Sequence, residues 1–189
     1  MKYDGLILTL NEADTIEECI KSLFLVCDNV FVLDSLSSDD TVALAKSAGA
    51  TVMERPFDNY AAQRNFALNC FDFVNDFILF FDADERLSPE LVEELSQLAI
   101  DKDDSVLFIR RFDILWGKKM MYATGYPTWG ARGFRRGNVF FTREINEGVE
   151  YSGNSVHLKE HFDHFPLIKG FDWWLQRHAK YAKMEAKYC

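Results

Sequence analysis

The sequence predicts an α/β fold in which a mostly parallel central sheet lies between two layers of helices. Strand and helix signals alternate with short connections through the first hundred residues, which favours parallel strands joined by right-handed crossovers. The apolar run at residues 77–81 is typical of a strand buried on both faces of such a sheet. It stops at Asp82, Asp84 and Glu85, at the edge where open α/β sheets bind ligands.

Each element is predicted from local signals. Strands are expected where β-branched and aromatic residues concentrate, at residues 3–9, 30–33, 51–54, 77–81 and 105–112. Helices are expected where apolar residues recur with helical spacing, at residues 12–25, 39–48, 59–69, 89–99 and 171–188. Gly49 is a helix-ending glycine, and Ser88 with Pro89 reads as an N-cap and first helical position. The Gly-, Trp-, Tyr- and Arg-rich residues 115–137 predict short strands and functional loops, and the last helix is expected to dock on the sheet or on a partner.

Composition limits the possible functions. The 189 residues, 48% of them hydrophobic, suffice for one well-cored domain and a C-terminal appendage. A net charge of −9 argues against wholesale nucleic-acid binding, because the phosphates require a cationic surface. No apolar run reaches the roughly 18 residues of a membrane-spanning helix, and the first residues do not resemble a signal peptide. We therefore expect a soluble, cytoplasmic protein.

The four cysteines show no CxxC pairing, which predicts a reducing compartment and no zinc cluster. The charge is unevenly distributed, since residues 110–143 carry eight cations and one acid and the remainder is strongly acidic. This basic segment predicts either a local anion site or a solvated hairpin.

Polar side chains follow three of the predicted strands. Asn11 and Glu12 follow the first strand, and the acids at 82–85 follow the fourth. Asp34 ends the second strand, while Ser35, Ser37 and Asp39 are available to cap the next helix. Carboxyl ends of parallel strands meet at one edge, so these groups predict a nucleotide site. Two Asp residues at i and i+2 suit Mg²⁺ or Mn²⁺ shared with phosphates.

Six motifs in order resemble the inverting glycosyltransferase family 2, in particular small bacterial enzymes similar to lipopolysaccharide core and exopolysaccharide transferases. They are LTLNEADTIEECIKSL, VLDSLSSDDTVALAKSAGATV, YAAQRNFAL, FILFFDADERLSPEL, RGFRR and INEGV, and the tail KGFDWWLQRHAKYAKMEA resembles the end of the same subgroup. The resemblance implies a GT-A fold, a nucleotide-sugar donor, with a UDP-sugar favoured, and a divalent cation, Mn²⁺ or Mg²⁺. It also implies a nucleotide-sugar-binding half at residues 1–104, an acceptor and catalytic half at 105–169, and a C-terminal helix at 170–189.

The same resemblance implies roles for individual residues. Asp34 is expected on the base, Asp84 as the direct metal ligand, Asp82 on ribose or metal-bound water, and Glu147 as the catalytic base. The remaining donor-binding residues implied are Leu10, Asn11, Glu12, Ser35, Gln63, Arg64, Ala83 and Arg132. The family's His-Glu motif reads Asn146-Glu147 here, and its RLFR element reads RGFR at residues 132–135.

The predicted chemistry is one displacement that inverts the anomeric carbon. A sugar hydroxyl is a poor nucleophile, so a carboxylate must take its proton. Glu147 is assigned that role, with Glu144 and Asp113 as substitutes. A metal and nearby cations would stabilise the departing nucleoside diphosphate.

Other conspicuous residues have less specific readings. His157, His161 and His164 fit no common zinc spacing and are read as neutral structural or acceptor-site histidines. By resemblance, His161 or His164 lies near the donor. Trp129 is read as either core packing or a stacking surface for a sugar.

The sequence therefore predicts a metal-dependent, inverting glycosyltransferase that acts on a glycan or lipid-linked acceptor in surface polysaccharide assembly. We also expect the basic segment and the Trp-rich tail to bring it to an anionic membrane face. A catalytically silent nucleotide-binding or assembly module is one alternative. A nucleotidyltransferase is less favoured, because Leu10-Asn11-Glu12 replaces a Gly-rich loop after the first strand.

Overall fold

The computed structural model describes residues 3–122, 126–142 and 148–186. The helices in these ranges are α1 (Ile16–Leu23), α2 (Thr41–Ser47), α3 (Tyr60–Cys70), α4 (Pro89–Gln97) and α5 (Phe171–Glu185). The strands of the first half are β1 (Tyr3–Thr9), β2 (Cys27–Asp34), β3 (Thr51–Glu54), β4 (Phe77–Asp82) and β5 (Glu85–Leu87). Those of the second half are β6 (Asp104–Leu115), β7 (Lys118–Lys119), β8 (Thr128–Arg135), β9 (Val139–Thr142), β10 (Gly148–Tyr151) and β11 (Asn154–His164).

One large sheet organises the protein. Its strands lie in the order β3-β2-β1-β4-β8-β6-β11-β5, and β7 pairs with the end of β6. Strands β3, β2, β1 and β4 run parallel, as do β6 and β11, whereas β8 runs antiparallel between β4 and β6. Strands β9 and β10 form a separate antiparallel ribbon. The predicted α/β fold with a mostly parallel sheet is confirmed, and the carboxyl ends of β1 to β4 share one edge.

Strand alternation divides the core into two layers, because successive side chains of a strand face opposite sides of the sheet. Ile7 and Leu79 pack with the buried faces of α1, α2 and α4. Leu6 and Phe80 pack on the other side with α3 and with Phe141 of β9. The outcome is helix, sheet and helix in three layers, with the β9–β10 ribbon completing the second outer layer.

Several element boundaries differ from the predictions, and each difference has a local cause. The first helix begins at Ile16 instead of residue 12, because Asn11 has a φ of 55° and the Glu12 carbonyl accepts hydrogen bonds from the amides of Thr15 and Ile16. Strand β6 extends to Leu115, beyond the predicted residue 112, because it turns back as the β6–β7 hairpin.

The predicted capping signals have their expected geometry. Ser88 Oγ accepts a hydrogen bond from the Leu91 amide at 3.1 Å, with Pro89 in the first turn. Gly49 follows α2 with a φ of 94°. Cys19, Cys27 and Cys70 are free thiols, the first two buried. Across the described ranges, none of the helices combines the length and apolarity needed to cross a bilayer.

Candidate functional site

The loops after β1 and β2 are joined to each other at the carboxyl edge of the sheet. The Asn11 amide donates to Ser37 Oγ at 2.8 Å, and Asn11 Oδ1 accepts from the Ser38 amide at 2.8 Å. The Glu12 amide donates to Thr41 Oγ1 at 2.7 Å. The structure thus brings Asn11 and Glu12 beside the end of β2, while the neighbouring Leu10 is about half exposed.

The Asp34 side chain holds these two loops together through hydrogen bonds. Its carboxylate is fully buried and accepts hydrogen bonds from Thr9 Oγ1 at 2.7 Å, from the Ser37 amide at 2.7 Å and from Ser37 Oγ at 2.6 Å. Ser37 was expected to cap α2, but its hydroxyl serves Asp34 instead. Asp39 accepts from the amide of Thr41, the first residue of α2, at 3.0 Å and from the Ala13 amide of the loop after β1 at 3.2 Å. Asp40, at the N-cap position, makes no side-chain capping bond. The predicted contact of Asp34 with a nucleobase stays a prediction.

Gln63 and Arg64 enter the site from α3. The buried Gln63 donates from Nε2 to Ser35 Oγ at 3.1 Å, and its Oε1 accepts from Arg55. Arg64 lies over the ring of Phe80, 4.4 Å from the ring centroid. Gln63 therefore positions Ser35, and Arg64 is oriented toward the end of β4.

Asp82 ends β4 between two arginines from opposite sides. Its Oδ1 lies 3.6 Å from Arg64 Nη2, and its Oδ2 lies 3.6 Å from Arg132 Nη2. Partial burial acts to raise the pKa of Asp82, but the charges of these arginines outweigh it and hold the pKa below its usual value. Asp82 is therefore ionised at neutral pH. Ala83 is buried between Asp82 and Asp84, so the two acids share the mouth of the site.

Glu85 fixes Arg132 beside the acid pair. Arg132 donates from Nε to Glu85 Oε2 at 3.0 Å and from Nη2 to Glu85 Oε1 at 2.6 Å, and the Asp82 amide also donates to Oε2. Burial raises the pKa of Glu85 in spite of the facing guanidinium. Burial acts to lower the pKa of Arg132, but Glu85 and Asp82 hold it above its ordinary value. This two-bond pair orients Arg132 toward Asp82.

His164 bridges the second acid to another strand. Its Nε2 lies 3.5 Å from Asp84 Oδ2, and its Nδ1 lies 2.7 Å from Asp113 Oδ1. Burial acts to lower the pKa of His164, but the hydrogen bonds to Asp113 and Asp84 raise it to about 9. The expectation of a neutral histidine was therefore wrong for His164, which is protonated at neutral pH.

The C-terminal segment contacts the loop after β1 at one side of the site. Lys169 Nζ lies 2.7 Å from Glu12 Oε1 and donates to the Asn11 carbonyl at 2.5 Å. Burial raises the pKa of Glu12, although Lys169 acts to lower it. On α5, the Tyr181 hydroxyl lies 2.9 Å from the Tyr60 hydroxyl. The last helix is thus docked on the sheet domain, one of the two predicted alternatives.

Arg177 of α5 contributes a further positive charge. Its Nε donates to Tyr181 Oη at 2.6 Å, and its guanidinium lies over Trp173, 5.0 Å from the ring centroid. Burial acts to lower the pKa of Arg177, but Tyr181, Asp84 and Asp82 hold it above its usual value. Sequence reasoning missed Arg177, Lys169 and the pairing of Glu85. The tail motif that contains Lys169 and Arg177 was the available signal.

The basic segment at residues 110–143 does not form one patch. Arg110 lies over Trp129, 5.7 Å from its ring centroid, and Arg111 pairs with Asp113 at 3.1 Å. Arg135 donates to the Asp104 carbonyl at 2.7 Å. Among the cations of this segment that the structure describes, Arg132 reaches Asp82, while Arg143 lies outside the described residues.

Gly133 replaces the apolar residue of the family's arginine motif for a steric reason. A Cβ at Gly133 would lie 2.7 Å from Leu107 Cδ1 and 2.9 Å from Leu107 Cβ. Leu107 is fully buried and occupies that space from the neighbouring strand. The departure at Gly133 therefore preserves the packing beside Arg132.

The predicted base, Glu147, lies outside the described residues, as does its substitute Glu144. The other substitute, Asp113, is described. Partial burial acts to raise its pKa, but the hydrogen bond with His164 and the charge of Arg111 lower it. Asp113 is thus already engaged by two cationic partners, which does not favour it as a proton acceptor.

The acid pair offers oxygen ligands for a divalent cation. In the part of the chain that the structure describes, three or more His, Cys, Asp or Glu side chains do not converge to hold a metal alone. Mg²⁺ is commonly bound by one or two carboxylates together with substrate phosphates and water. Asp82 and Asp84 fit that partial donor set, with His164 beside them.

The chain matches the model of glycosyl transferase family 2 over residues 6–164. The lipopolysaccharide core biosynthesis glycosyltransferase LpsC of Rhizobium meliloti (strain 1021) is 31% identical over 204 residues, which cover 98% of this chain and 71% of that protein. An uncharacterized glycosyltransferase of Rickettsia felis is 44% identical over 97 residues, covering 51% of this chain and 34% of that protein. The chain thus spans about a third of the length of the first curated relatives that it matches.

Solved structures share the fold. S. aureus TarS 1-349 in complex with UDP-GlcNAc has a TM-score of 0.59 at 18% identity and covers 87% of this chain and 58% of that chain. Glucosyl-3-phosphoglycerate synthase from Mycobacterium tuberculosis, with Mg²⁺ and UDP, has a TM-score of 0.50 at 21% identity and covers 71% of this chain and 56% of that chain. With the family match over most of its length, the chain belongs to glycosyltransferase family 2 and has the GT-A fold.

Proposed function

We propose that this protein is an inverting, metal-dependent glycosyltransferase. It would move a sugar from a nucleotide-diphosphate donor, with a UDP-sugar favoured, to a glycan or lipid-linked acceptor in bacterial surface polysaccharide assembly. The observation that carries this proposal is the Asp82–Asp84 pair at the carboxyl end of β4, with Arg64 and Arg132 within 3.6 Å of Asp82. Family membership and the similarity to LpsC support the reaction class and the pathway.

The charges of the site suit a diphosphate leaving group. Breaking the anomeric bond adds negative charge to the nucleoside diphosphate, and preorganised cations stabilise that charge in the transition state. Arg132 is held by Glu85 and Arg64 is held over Phe80, so both guanidiniums are positioned in advance. Arg177 adds a third charge from α5.

The divalent cation is proposed to bind at the acid pair. Asp84 would be its direct ligand, and Asp82 would face the ribose or a metal-bound water. When bound, the cation supplies Lewis-acid stabilisation of the diphosphate. The Mycobacterium tuberculosis synthase was solved with Mg²⁺ and UDP, which guides the choice of the first donor and metals to test.

Glu147 is proposed as the base that removes the proton of the acceptor hydroxyl. Such a proton transfer contributes on the order of 10² to 10⁴ in rate. The hydroxyl oxygen attacks the anomeric carbon as the bond to the diphosphate breaks, so the configuration inverts in a single step. The proton passes to the carboxylate of Glu147.

The test is release of UDP from a panel of UDP-sugars, with Mn²⁺ or Mg²⁺ and with EDTA. We expect metal-dependent release that Asp84→Asn lowers by about 100-fold or more. Glu147→Gln should abolish transfer while donor binding, measured by thermal shift, is retained. The control Glu150→Gln, at an exposed position of β10, should behave like wild type.

Two results would contradict the proposal in different ways. Donor binding without turnover for any sugar or acceptor would favour the silent nucleotide-binding module. Pyrophosphate release from a nucleoside triphosphate would instead indicate a nucleotidyltransferase.

A further inference from the structure

The β6–β7 hairpin holds a tryptophan where a large side chain is disfavoured. Leu115 pairs with Lys118, so Trp116 and Gly117 form a two-residue turn with φ values of 49° and 74°. Two positive φ values are typical of a type I′ turn, in which Asn-Gly is the preferred pair. A bulky residue with positive φ is a strained outlier. The chain therefore carries a conformational cost to keep Trp116 at this tip.

The Trp116 side chain packs little against the described part of the protein. Its side chain is 81% exposed, and beyond β7 Met121 is 48% and Tyr122 is 99% exposed. Single exposed apolar residues are ordinary. Here Trp116 stands at the turn, and Met121 and Tyr122 follow the second strand at the base of the hairpin, so exposed apolar side chains occur at both ends of it.

The tip is also cationic within an acidic protein. Residues 114–122 contain two lysines and no acid, whereas the whole chain has a net charge of −9. Lys118 is exposed. Lys119 lies against the body of the protein, where its Nζ is 3.4 Å from Asp163 Oδ1. Lys118 is thus the exposed lysine next to the turn that carries Trp116.

The hairpin arises directly beside the candidate site. The Met120 amide donates to the Asp113 carbonyl at 3.0 Å, and Asp113 contacts His164, which contacts Asp84. Trp116 lies three residues beyond Asp113, a distance of about 10 Å along an extended strand. Whatever the tip binds is therefore held close to the acid pair.

We propose that the β6–β7 hairpin, through Trp116 at its turn and the neighbouring Lys118, docks on the headgroup region of an anionic phospholipid bilayer. Trp and Tyr favour this boundary because their rings are apolar and their N–H and O–H groups stay hydrated. Lys118 pairs with lipid phosphates. This docking rests on the proposed function, because it would present a lipid-linked acceptor to the site.

The docking surface differs from the membrane contact predicted from sequence. That expectation used the whole basic segment and the Trp-rich tail. In the structure, Arg132 and Arg135 are engaged within the protein, and Trp173 lies beneath Lys169 and Arg177. The hairpin combines an exposed tryptophan at its turn with a neighbouring exposed lysine.

The experiment is co-sedimentation of the full chain with phosphatidylcholine vesicles, with and without phosphatidylserine. We expect binding that increases with phosphatidylserine. Lys118→Glu should weaken it about fivefold or more, since each lysine near an anionic surface contributes about 1 kcal/mol. Trp116→Asn should weaken it more than about tenfold. Quenching of tryptophan fluorescence by brominated lipid should disappear in the same variant.

Trp116→Asn separates docking from folding, because Asn is favoured in this turn. Its thermal midpoint should equal or exceed that of wild type while lipid binding is lost. Phe140→Ala, at an exposed aromatic of β9, and Lys102→Glu, at the turn before β6, are matched controls that should bind lipid normally. Lipid binding by Trp116→Asn equal to wild type would overturn the proposal.

Two further outcomes are decisive. Self-association in the absence of lipid that Trp116→Asn abolishes would assign the tip to protein contact and overturn lipid docking. UDP release from a UDP-sugar in solution should be unaffected by Trp116→Asn. A wild-type protein that binds vesicles but never releases UDP would refute the proposed function and leave the docking intact.

Discussion

The two halves of the sheet build the candidate site in different ways. Along β1 to β4, polar groups come directly after strand ends and bind one another within this half, as Ser37 does with Asp34 and Asn11. Strand β8, and the segment from the end of β11 through α5, instead bring cations to the site from distant positions in the sequence. Arg132 reaches Glu85 from 47 residues away, and Lys169 reaches Asn11 from 158 residues away.

This difference shows that the acids and their counter-charges are specified separately. The acids stand at a sheet edge whose position depends on local strand signals. The lowered pKa of Asp82 depends on Arg64 of α3, in the same half, and on Arg132 of β8 in the other half. The site therefore exists as a charge-balanced cluster only when both halves of the sheet are in place.

The largest expected effect comes from removing the pair that links the two halves. Glu85→Ala leaves the Arg132 guanidinium without its buried partner, and breaking such a pair costs about 3–5 kcal/mol. The free energy of unfolding from urea titration measures it. Glu93→Ala, on the exposed face of α4, should change that free energy by less than about 0.5 kcal/mol. A loss below about 1 kcal/mol for Glu85→Ala would show that the halves are not coupled here.

His164, which ends β11 in the second half of the sheet, should make the free energy of unfolding depend on pH. Its pKa is raised from 6.5 to about 9 in the folded state, so its contribution is fully present below pH 6.5 and is lost as the pH rises through 9. The shift corresponds to about 3–4 kcal/mol at most. Unfolding in EDTA between pH 6 and 10 should reveal this loss, and His164→Gln should remove it. His157→Gln is the control and should keep the wild-type slope.

A smaller effect tests the packing between β8 and β6. Gly133→Ala places a Cβ against Leu107, and such overpacking costs about 1–3 kcal/mol. The double variant Gly133→Ala with Leu107→Ala should recover part of this loss, measured as a coupling free energy in a double-mutant cycle. Purely additive losses would mean that Leu107 is not what requires glycine at residue 133.

The smallest effect belongs to the first half alone. Asp39→Ala removes the acceptor for the Thr41 amide and should cost about 1 kcal/mol. Asp40 precedes α2 in the backbone but makes no side-chain capping bond. Asp40→Ala should therefore be nearly neutral by thermal denaturation. Equal losses for both variants would contradict the local capping assigned to Asp39.

Local features of the fold could be predicted from the sequence. The buried run before Asp82 and the Ser88–Pro89 cap depend on residues within a few positions of each other. The start of α1 could not be predicted, because Asn11 and Glu12 are held by Ser37 and Thr41 of another loop. The helical periodicity of the sequence does not indicate these hydrogen bonds to another loop.

The candidate site divides in the same way. The positions of Asp82 and Asp84 follow from strand patterning, and family resemblance singled out Arg132. Neither source indicated that Glu85 would orient Arg132, or that His164 would be charged by its two acidic neighbours. These properties depend on burial and on contacts between remote strands. The assignment of Glu147 stays a prediction.

The bond from Lys169 to the Asn11 carbonyl has a consequence for biosynthesis. Chains emerge from the ribosome N-terminus first, at about 5–20 residues per second. The loop after β1 is synthesised early, whereas Lys169, which donates a hydrogen bond to it, is synthesised 158 residues later. A nascent chain can thus assemble its parallel strands while this loop still lacks its final anchor. A translation product that ends before residue 169 therefore lacks the bond that holds this loop in the folded protein.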